Sequence, residues 1–151
     1  MRRLLSRAIL RPWWLLSRGL TLGVRAVVAR DGKVLLVRHS YLPGWYLPGG
    51  GVERGESMLD ALAHELRDEG NIVLEGPPRL FGIYFNAREH RGDHVILFVA
   101  GEWRQEGEFK PNAEILEARF FPLDSLPDGT TSATRRRLAE VFQGAPRDER
   151  W

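Results

Sequence analysis

Three consecutive glycines, residues 49–51, precede a segment with the apolar spacing of an amphipathic helix. The segment runs from Met58 to Gly70, and Ser57 is suited to cap it because a serine hydroxyl can accept a backbone N–H of the first turn. Helical spacing predicts one packing face, formed by Leu59, Leu62, Ala63 and Leu66. Such a face must be buried against another layer, so this helix restricts the chain to layered folds.

Three carboxylates, Glu65, Asp68 and Glu69, form a second stripe near the C-terminal end of this helix. Like charges at i,i+3 and i,i+4 destabilise a helix by about 0.2–0.5 kcal/mol per pair, and the negative end of the helix dipole adds to the repulsion. A divalent cation reverses this effect, because Mg²⁺ and Mn²⁺ prefer carboxylate and water oxygens. Glycines let the backbone approach such a ligand closely, and they also occur in ordinary turns. The combined pattern predicts a metal site.

The rest of the chain alternates between strand and helix patterns. Residues 21–29 and 33–38 are rich in β-branched and aliphatic side chains and flank Asp31-Gly32, which predicts an antiparallel hairpin. Further strands are predicted at 79–86, 94–101 and 118–121, and a second helix at 132–142. This mixture within 151 residues predicts one α+β domain in which helices cover a mixed β-sheet.

Composition limits the possible functions. The chain has no cysteine, which excludes a disulfide framework and cysteine metal ligands and is compatible with the predicted cytoplasmic location. The net charge of +2 is too small to predict a nucleic-acid partner. Basic residues concentrate in residues 1–20, an amphipathic leader segment with five arginines and no acidic residue. These arginines interrupt any membrane-spanning run, which leaves packing, a homodimer contact, an organelle presequence or membrane-surface contact as its alternative roles.

The spacing of one set of residues resembles the Nudix box, the signature of Mg²⁺-dependent pyrophosphohydrolases acting on a nucleoside diphosphate linked to another group. These residues are Gly50, Glu56, His64, Glu65, Leu66, Asp68, Glu69, Asn71 and Ile72. The resemblance implies an α/β/α sandwich over residues 21–145, with a leader before it and a C-terminal tail at 146–151. Three positions depart from the family pattern: His64 replaces an arginine, Asp68 a glutamate, and Asn71 a glycine.

The resemblance also implies roles for individual residues. Mg²⁺ or Mn²⁺ would be held by Gly50, Glu65, Asp68 and Glu69. Water would attack phosphorus, with catalytic carboxylates taken from Glu65, Glu69 and Glu114. The general base is either Glu65 or a glutamate of a later loop, for which Glu114 is the candidate. Glu56 and His64 would orient the loop that precedes the helix.

The substrate is less well defined by the sequence. Arg38, Trp45 and Tyr46 are predicted to bind it, since aromatic rings can stack on a base, although strand aromatics more often pack in a core. Family markers of ADP-ribose and diadenosine polyphosphate hydrolases are missing near Arg88. This favours a nucleoside triphosphate or another nucleoside diphosphate derivative as the nucleotide-type small molecule. An ADP-ribose-like compound stays as an alternative, because such markers are imperfect. The alternative is a nucleotide-binding regulatory module whose turnover is weakened by His64 and Asp68.

Overall fold

The computed structural model describes residues 19–88 and 91–151, so the predicted leader lies outside it apart from residues 19 and 20. The strands are β1 (Thr21–Val27), β2 (Ala29–Arg30), β3 (Lys33–His39), β4 (Ile72–Leu74), β5 (Arg79–Phe85), β6 (Asp93–Val99), β7 (Trp103–Gln105) and β8 (Ile115–Pro122). The helices in this part of the chain are α1 (Met58–Gly70) and α2 (Ser132–Phe142). Neither is long and apolar enough to cross a membrane.

The strands form a mixed sheet, an antiparallel sheet and a short ribbon. In the mixed sheet β6 is central, parallel to β1 and antiparallel to β5. The second sheet has the order β2-β3-β8 with antiparallel pairing throughout, and β4 pairs with β7. The predicted hairpin at Asp31-Gly32 is confirmed, with φ of 53° and 73° at its two turn residues. Positive φ at both positions matches the right-handed twist of the flanking strands.

Successive strand residues point to two separate cores, one on each side of the sheets. Leu35 packs in the first core with Leu62 and Leu66 of α1. Val34 and Leu36, which point to the opposite face of the strand, pack in the second core with Leu138 of α2. A helix thus covers each side, because strand side chains alternate between faces. The predicted α+β class and α/β/α layering are confirmed.

Helix α1 has the predicted bounds and caps but a different buried face. The Ser57 hydroxyl accepts the Asp60 N–H at 3.1 Å. Leu59 is 50% exposed, whereas Ala61 is buried and Glu69 lies within the buried arc. The packing face is therefore rotated toward the acidic stripe, so that part of this stripe is buried with the core.

The chain beyond α2, which includes the predicted C-terminal tail at 146–151, contacts strand β5. The Phe85 N–H donates to Glu149 O at 2.8 Å, and the Trp151 N–H donates to Phe85 O at 3.0 Å. The Trp151 ring lies edge-on to Tyr84, with centroids 5.6 Å apart. Arg150 thus forms a single parallel β-bridge with Phe85 at the edge of the mixed sheet.

The strand prediction missed β4 and β7 and shortened β8. The first two have only three residues each, which is too short for an alternating pattern to be recognised. Strand β8 begins at Ile115, before the predicted start at residue 118. This earlier start fixes the strand directly after Glu114, one of the predicted catalytic residues.

Candidate functional site

Glu69 is the buried carboxylate of the predicted site. It is 6% exposed, and its Oε2 accepts the Gly49 N–H at 2.7 Å. Burial raises the pKa of Glu69 to about 7, while Arg25 and the Gly49 N–H act in the opposite direction. Desolvation outweighs both favourable contacts, so ionised Glu69 is poorly compensated in the metal-free protein.

Glu65 lies one helical turn before Glu69 and contacts the glycine loop. A Cβ atom added to Gly50 would lie 2.1 Å from Glu65 Oε1, so a side chain at position 50 would displace this carboxylate. Gly50 O accepts the Val24 N–H at 2.9 Å, which leaves one lone pair of the carbonyl oxygen. Burial also raises the pKa of Glu65.

The three glycines do not have equal roles. Gly49 has a φ of 138°, and a Cβ there would lie 2.1 Å from Val24 O. A Cβ on Gly51 would have nothing within 4 Å. Glycine is therefore required at 49, where a Cβ would meet the backbone of β1. At 50 a Cβ would displace the Glu65 carboxylate, and at 51 there is open space.

Asp68, His64 and Glu56 form a more exposed group beside the buried glutamates. His64 Nε2 lies 3.0 Å from Asp68 Oδ2, and His64 Nδ1 lies 3.9 Å from Glu56 Oε1. The Asp68 side chain is 60% exposed. His64 thus lies between Glu56 of the loop and Asp68 of the helix, with one ring nitrogen facing each carboxylate.

The carboxylates do not form a closed metal cage as they stand. Within residues 19–88 and 91–151, no group of three His, Asp or Glu side chains is arranged to hold a metal ion. The predicted ligand Asp68 contacts His64. Glu65, Glu69 and the Gly50 carbonyl supply only hard oxygen donors, which is the chemistry that Mg²⁺ and Mn²⁺ prefer.

Glu114 lies on the same side of the molecule as these glutamates. Burial is the main cause of the raised pKa of Glu65 and of Glu69, and the charge of Glu114 raises both further. The Glu114 backbone is fixed, since its carbonyl accepts the Ser40 N–H at 2.8 Å. Its side chain is exposed and makes no hydrogen bond or ion pair with the described part of the chain.

Two residues near the site were not predicted from the sequence. Arg25 Nη1 donates to Leu47 O at 3.0 Å, and Arg25 is the cation that acts on Glu69. His39 is 5% exposed, with Nδ1 3.8 Å from Glu69 Oε1, and burial lowers its pKa to about 4. A neutral His39 therefore lies behind Glu69. One charged residue inside an otherwise apolar strand was the available signal for Arg25.

The predicted substrate-binding residues differ in their contacts, although the Arg38 guanidinium carbon lies 5.9 Å from the centre of the Trp45 ring. Arg38 forms an ion pair with Glu117 on the neighbouring strand. Trp45 is 8% exposed and packs edge-on against Phe121, so core packing accounts for it without a substrate role. Tyr46 is half-buried, and its ring lies 5.4 Å from His39. Of the three, Tyr46 is the one in contact with a residue beside Glu69.

Comparison with known proteins gives a consistent result. A family model described as "NUDIX domain" matches residues 19–142. An ADP-ribose pyrophosphatase from Methanocaldococcus jannaschii is 35% identical over 108 residues, covering 69% of this chain and 63% of that protein. An 8-oxo-dGDP phosphatase from Homo sapiens is 34% identical over 107 residues, covering 66% of this chain and 31% of that protein. The chain thus spans less than two thirds of either relative. The crystal structure of a MutT NUDIX hydrolase from Burkholderia pseudomallei has a TM-score of 0.68 at 29% identity, covering 81% of this chain and 98% of that one.

Proposed function

Because the chain belongs to the NUDIX family, we propose that it is a metal-dependent pyrophosphohydrolase that cleaves a nucleoside diphosphate linked to another group. One observation carries the proposal: the buried Glu69 accepts the Gly49 N–H, and the Glu65 carboxylate lies beside Gly50. Both carboxylates are destabilised in the metal-free protein, and a bound cation would relieve this.

Mg²⁺ or Mn²⁺ would be held by Glu65, Glu69 and the Gly50 carbonyl, with Asp68 as a further ligand. When bound, such an ion neutralises the diphosphate and polarises the oxygens around the attacked phosphorus. Arg25 supplies positive charge on the same side, with one guanidinium nitrogen held by Leu47 O. An arginine suits a diphosphate because its planar group can donate two parallel hydrogen bonds.

The carboxylate of Glu114 is the proposed general base. Glu65 and Glu69 are engaged with the glycine loop, whereas Glu114 is exposed and has no partner in residues 19–88 or 91–151. A free carboxylate can accept the proton of an attacking water and release it to solvent. Glu65 is the alternative base, and a pH–rate profile of Glu114→Gln beside Glu65→Gln separates the two roles.

The names of two relatives support a proposed substrate class. One is named an ADP-ribose pyrophosphatase and another an 8-oxo-dGDP phosphatase, and both names specify a nucleotide with a diphosphate. We therefore place ADP-ribose-like compounds and purine nucleoside di- and triphosphates first among candidate substrates. The half-buried Tyr46 offers one aromatic edge beside the site for a base.

A product-resolved substrate screen tests the proposed function. The full chain is incubated with ADP-ribose, nucleoside triphosphates, oxidised guanine nucleotides and other nucleoside diphosphate derivatives, each with Mg²⁺, with Mn²⁺ and with EDTA. We expect metal-dependent release of a nucleoside monophosphate or of orthophosphate, and no release with EDTA. Tight nucleotide binding without turnover on any substrate would instead favour the regulatory module.

Replacement of His64 by arginine is expected to increase activity most at high pH. A histidine ring attracts Glu56 and Asp68 only while it is protonated, and low pH favours protonation. Arginine keeps its charge throughout. The ratio of kcat/KM, variant over wild type, should rise by about two- to fivefold between pH 6 and 9.5, as expected from one partly exposed ion pair.

His64→Gln is the matched control, since glutamine is neutral at every pH. It should be less active than the wild type at pH 6, and the difference should decrease toward pH 9.5. A pH-independent ratio for both variants would mean that His64 does not act as a cation in this loop.

A further inference from the structure

Asn71 ends helix α1 in the left-handed backbone conformation, with φ of 54° and ψ of 32°. Its backbone N–H donates to Arg67 O at 2.9 Å, as a C-terminal cap does. Glycine is the residue most often found at this position of a cap because it has no Cβ. The cap alone therefore does not account for an asparagine here.

The side chain of Asn71 reaches the loop between β7 and β8, residues 106–114. Its Nδ2 donates to Glu108 O at 3.1 Å. Its backbone carbonyl accepts the Glu106 N–H at 2.8 Å. One residue at the helix end thus holds the first half of this loop through two hydrogen bonds.

A second asparagine holds the other half of the loop. Asn112 Oδ1 accepts the N–H of Glu114 at 2.9 Å and of Ile115 at 2.8 Å. Asn112 Nδ2 lies 3.5 Å from Asp68 O, one of the last carbonyls of helix α1. The loop that carries Glu114 is therefore attached to the end of the helix that carries Glu65 and Glu69.

We propose that Asn71 is a positioning residue: its amide fixes the 106–114 loop on the end of helix α1 and thereby sets where the Glu114 carboxylate stands relative to Glu65 and Glu69. This inference rests on the proposed function, in which Glu114 accepts the proton of the attacking water. Asn71 itself touches no reacting atom. A glycine, which the family signature has at this position, would cap the helix but leave the loop without this contact.

Two substitutions at Asn71 separate the cap from the amide. Asn71→Gly keeps the left-handed cap and removes the side chain, so its Tm should stay within about 2 °C of the wild type. Asn71→Asp keeps the size of the side chain but presents an oxygen, which cannot donate, to Glu108 O. Lys110→Ala is the control, because Lys110 lies in the same loop and makes no hydrogen bond or ion pair among residues 19–88 and 91–151.

The first measurement is amide hydrogen exchange at Glu106 and Glu114 by NMR in the metal-free protein. Both Asn71 variants lose the bond from Nδ2 to Glu108 O that holds the loop, so these two loop amides should exchange about three- to tenfold faster, whereas in Lys110→Ala they should not. Unchanged exchange in both Asn71 variants would overturn the proposal, because Asn71 would then be only a cap.

The second measurement is steady-state hydrolysis with Mg²⁺ on the substrate that the screen identifies. Both variants should lose about three- to tenfold in kcat with less than a twofold change in KM, because a misplaced base affects the chemical step and not substrate binding. Faster exchange with unchanged kcat would overturn the positioning role. If the wild type hydrolyses no substrate, the proposed function fails, and the exchange rates alone decide whether Asn71 fixes the loop.

Discussion

Glu69→Gln is expected to reduce metal-dependent hydrolysis at least about a hundredfold while making the metal-free protein more stable at pH 8. Glutamine can still accept the Gly49 N–H, which Glu69 Oε2 accepts at 2.7 Å, so the loop contact is kept. The substitution removes the negative charge of Glu69 that would hold the cation. Loss of about 3 kcal/mol of transition-state stabilisation corresponds to about a hundredfold in rate.

The stability effect follows from the raised pKa of Glu69, which burial moves from 4.5 to about 7. Between these two values the folded protein binds a proton more tightly than the unfolded chain does. The free energy of unfolding therefore falls as pH rises from about 4.5 to about 7 and stays lower above that range. A shift of this size corresponds to a few kcal/mol, and we expect Glu69→Gln to recover about 1–3 kcal/mol at pH 8.

Urea unfolding in EDTA at pH 5 and pH 8 measures this difference. The wild type should lose stability between the two pH values, and Glu69→Gln should lose less. Excess Mn²⁺ should stabilise the wild type and have a smaller effect on the variant, because ligand binding to the folded state adds about 2.7 kcal/mol at a hundred times Kd.

Glu102→Gln is the matched control, because Glu102 is exposed and its side chain makes no hydrogen bond or ion pair among residues 19–88 and 91–151. It should change neither hydrolysis nor the pH dependence of unfolding. Near wild-type hydrolysis by Glu69→Gln would exclude Glu69 as a metal ligand. A loss of several kcal/mol in EDTA would show that the buried carboxylate is a structural requirement of the fold.

The elements most accurately predicted from sequence are those whose ends are encoded locally. Helix α1 begins and ends where predicted because Ser57 caps its first turn and Asn71 takes the left-handed conformation after its last. Asp31-Gly32 likewise determines its hairpin through positive φ at both residues. Each of these signals lies within a few residues of the feature that it controls.

The acidic stripe shows what local patterns leave out. Glu65, Asp68 and Glu69 form one stripe in a helical projection, yet their burial differs: Glu69 is buried, Glu65 half-buried and Asp68 exposed. Their depth depends on how the helix is rotated against the sheet. The rotation is set by core contacts such as that of Leu35 with Leu62 and Leu66, which come from distant parts of the sequence.

Arg25 and His39 illustrate the same limit within the candidate site. Both lie on strands that pair with segments far away in sequence, and neither has a characteristic spacing to the glutamates of α1. Their proximity to Glu69 arises only when β1 and β3 pack beside that helix. Tertiary structure was therefore needed to identify the cation and the neutral imidazole beside the buried carboxylate.

Another buried charge belongs to three successive arginines on α2, residues 135–137, a pattern typical of a solvated helix face. The Arg137 side chain is nevertheless 0% exposed. Its Nη2 donates to Glu140 Oε1 at 2.5 Å, and its Nη1 donates to Arg150 O at 2.8 Å. The guanidinium carbon lies 4.1 Å from the centre of the Tyr84 ring. Arg137 thus connects α2, the mixed sheet and the chain end.

Arg137→Met is expected to lower the free energy of unfolding by about 3–5 kcal/mol, the usual effect of removing one partner of a buried ion pair. Methionine fills a similar volume but leaves Glu140 with an uncompensated charge. Glu140 would then keep only neutral donors, the Tyr84 hydroxyl at 2.8 Å and the Asp148 N–H at 3.1 Å. The measurement is urea unfolding followed by circular dichroism at pH 7.5.

The double variant Arg137→Met/Glu140→Gln separates charge from packing. Glutamine can still accept the Tyr84 hydroxyl but carries no charge, so the double variant should recover about 1–3 kcal/mol relative to Arg137→Met alone. Arg135→Met, an exposed position on the same helix, is the control and should change stability by less than about 1 kcal/mol. If the double variant is no more stable than Arg137→Met, then the lost packing over Tyr84 and the lost bond to Arg150 O, and not the unpaired charge of Glu140, account for the destabilisation.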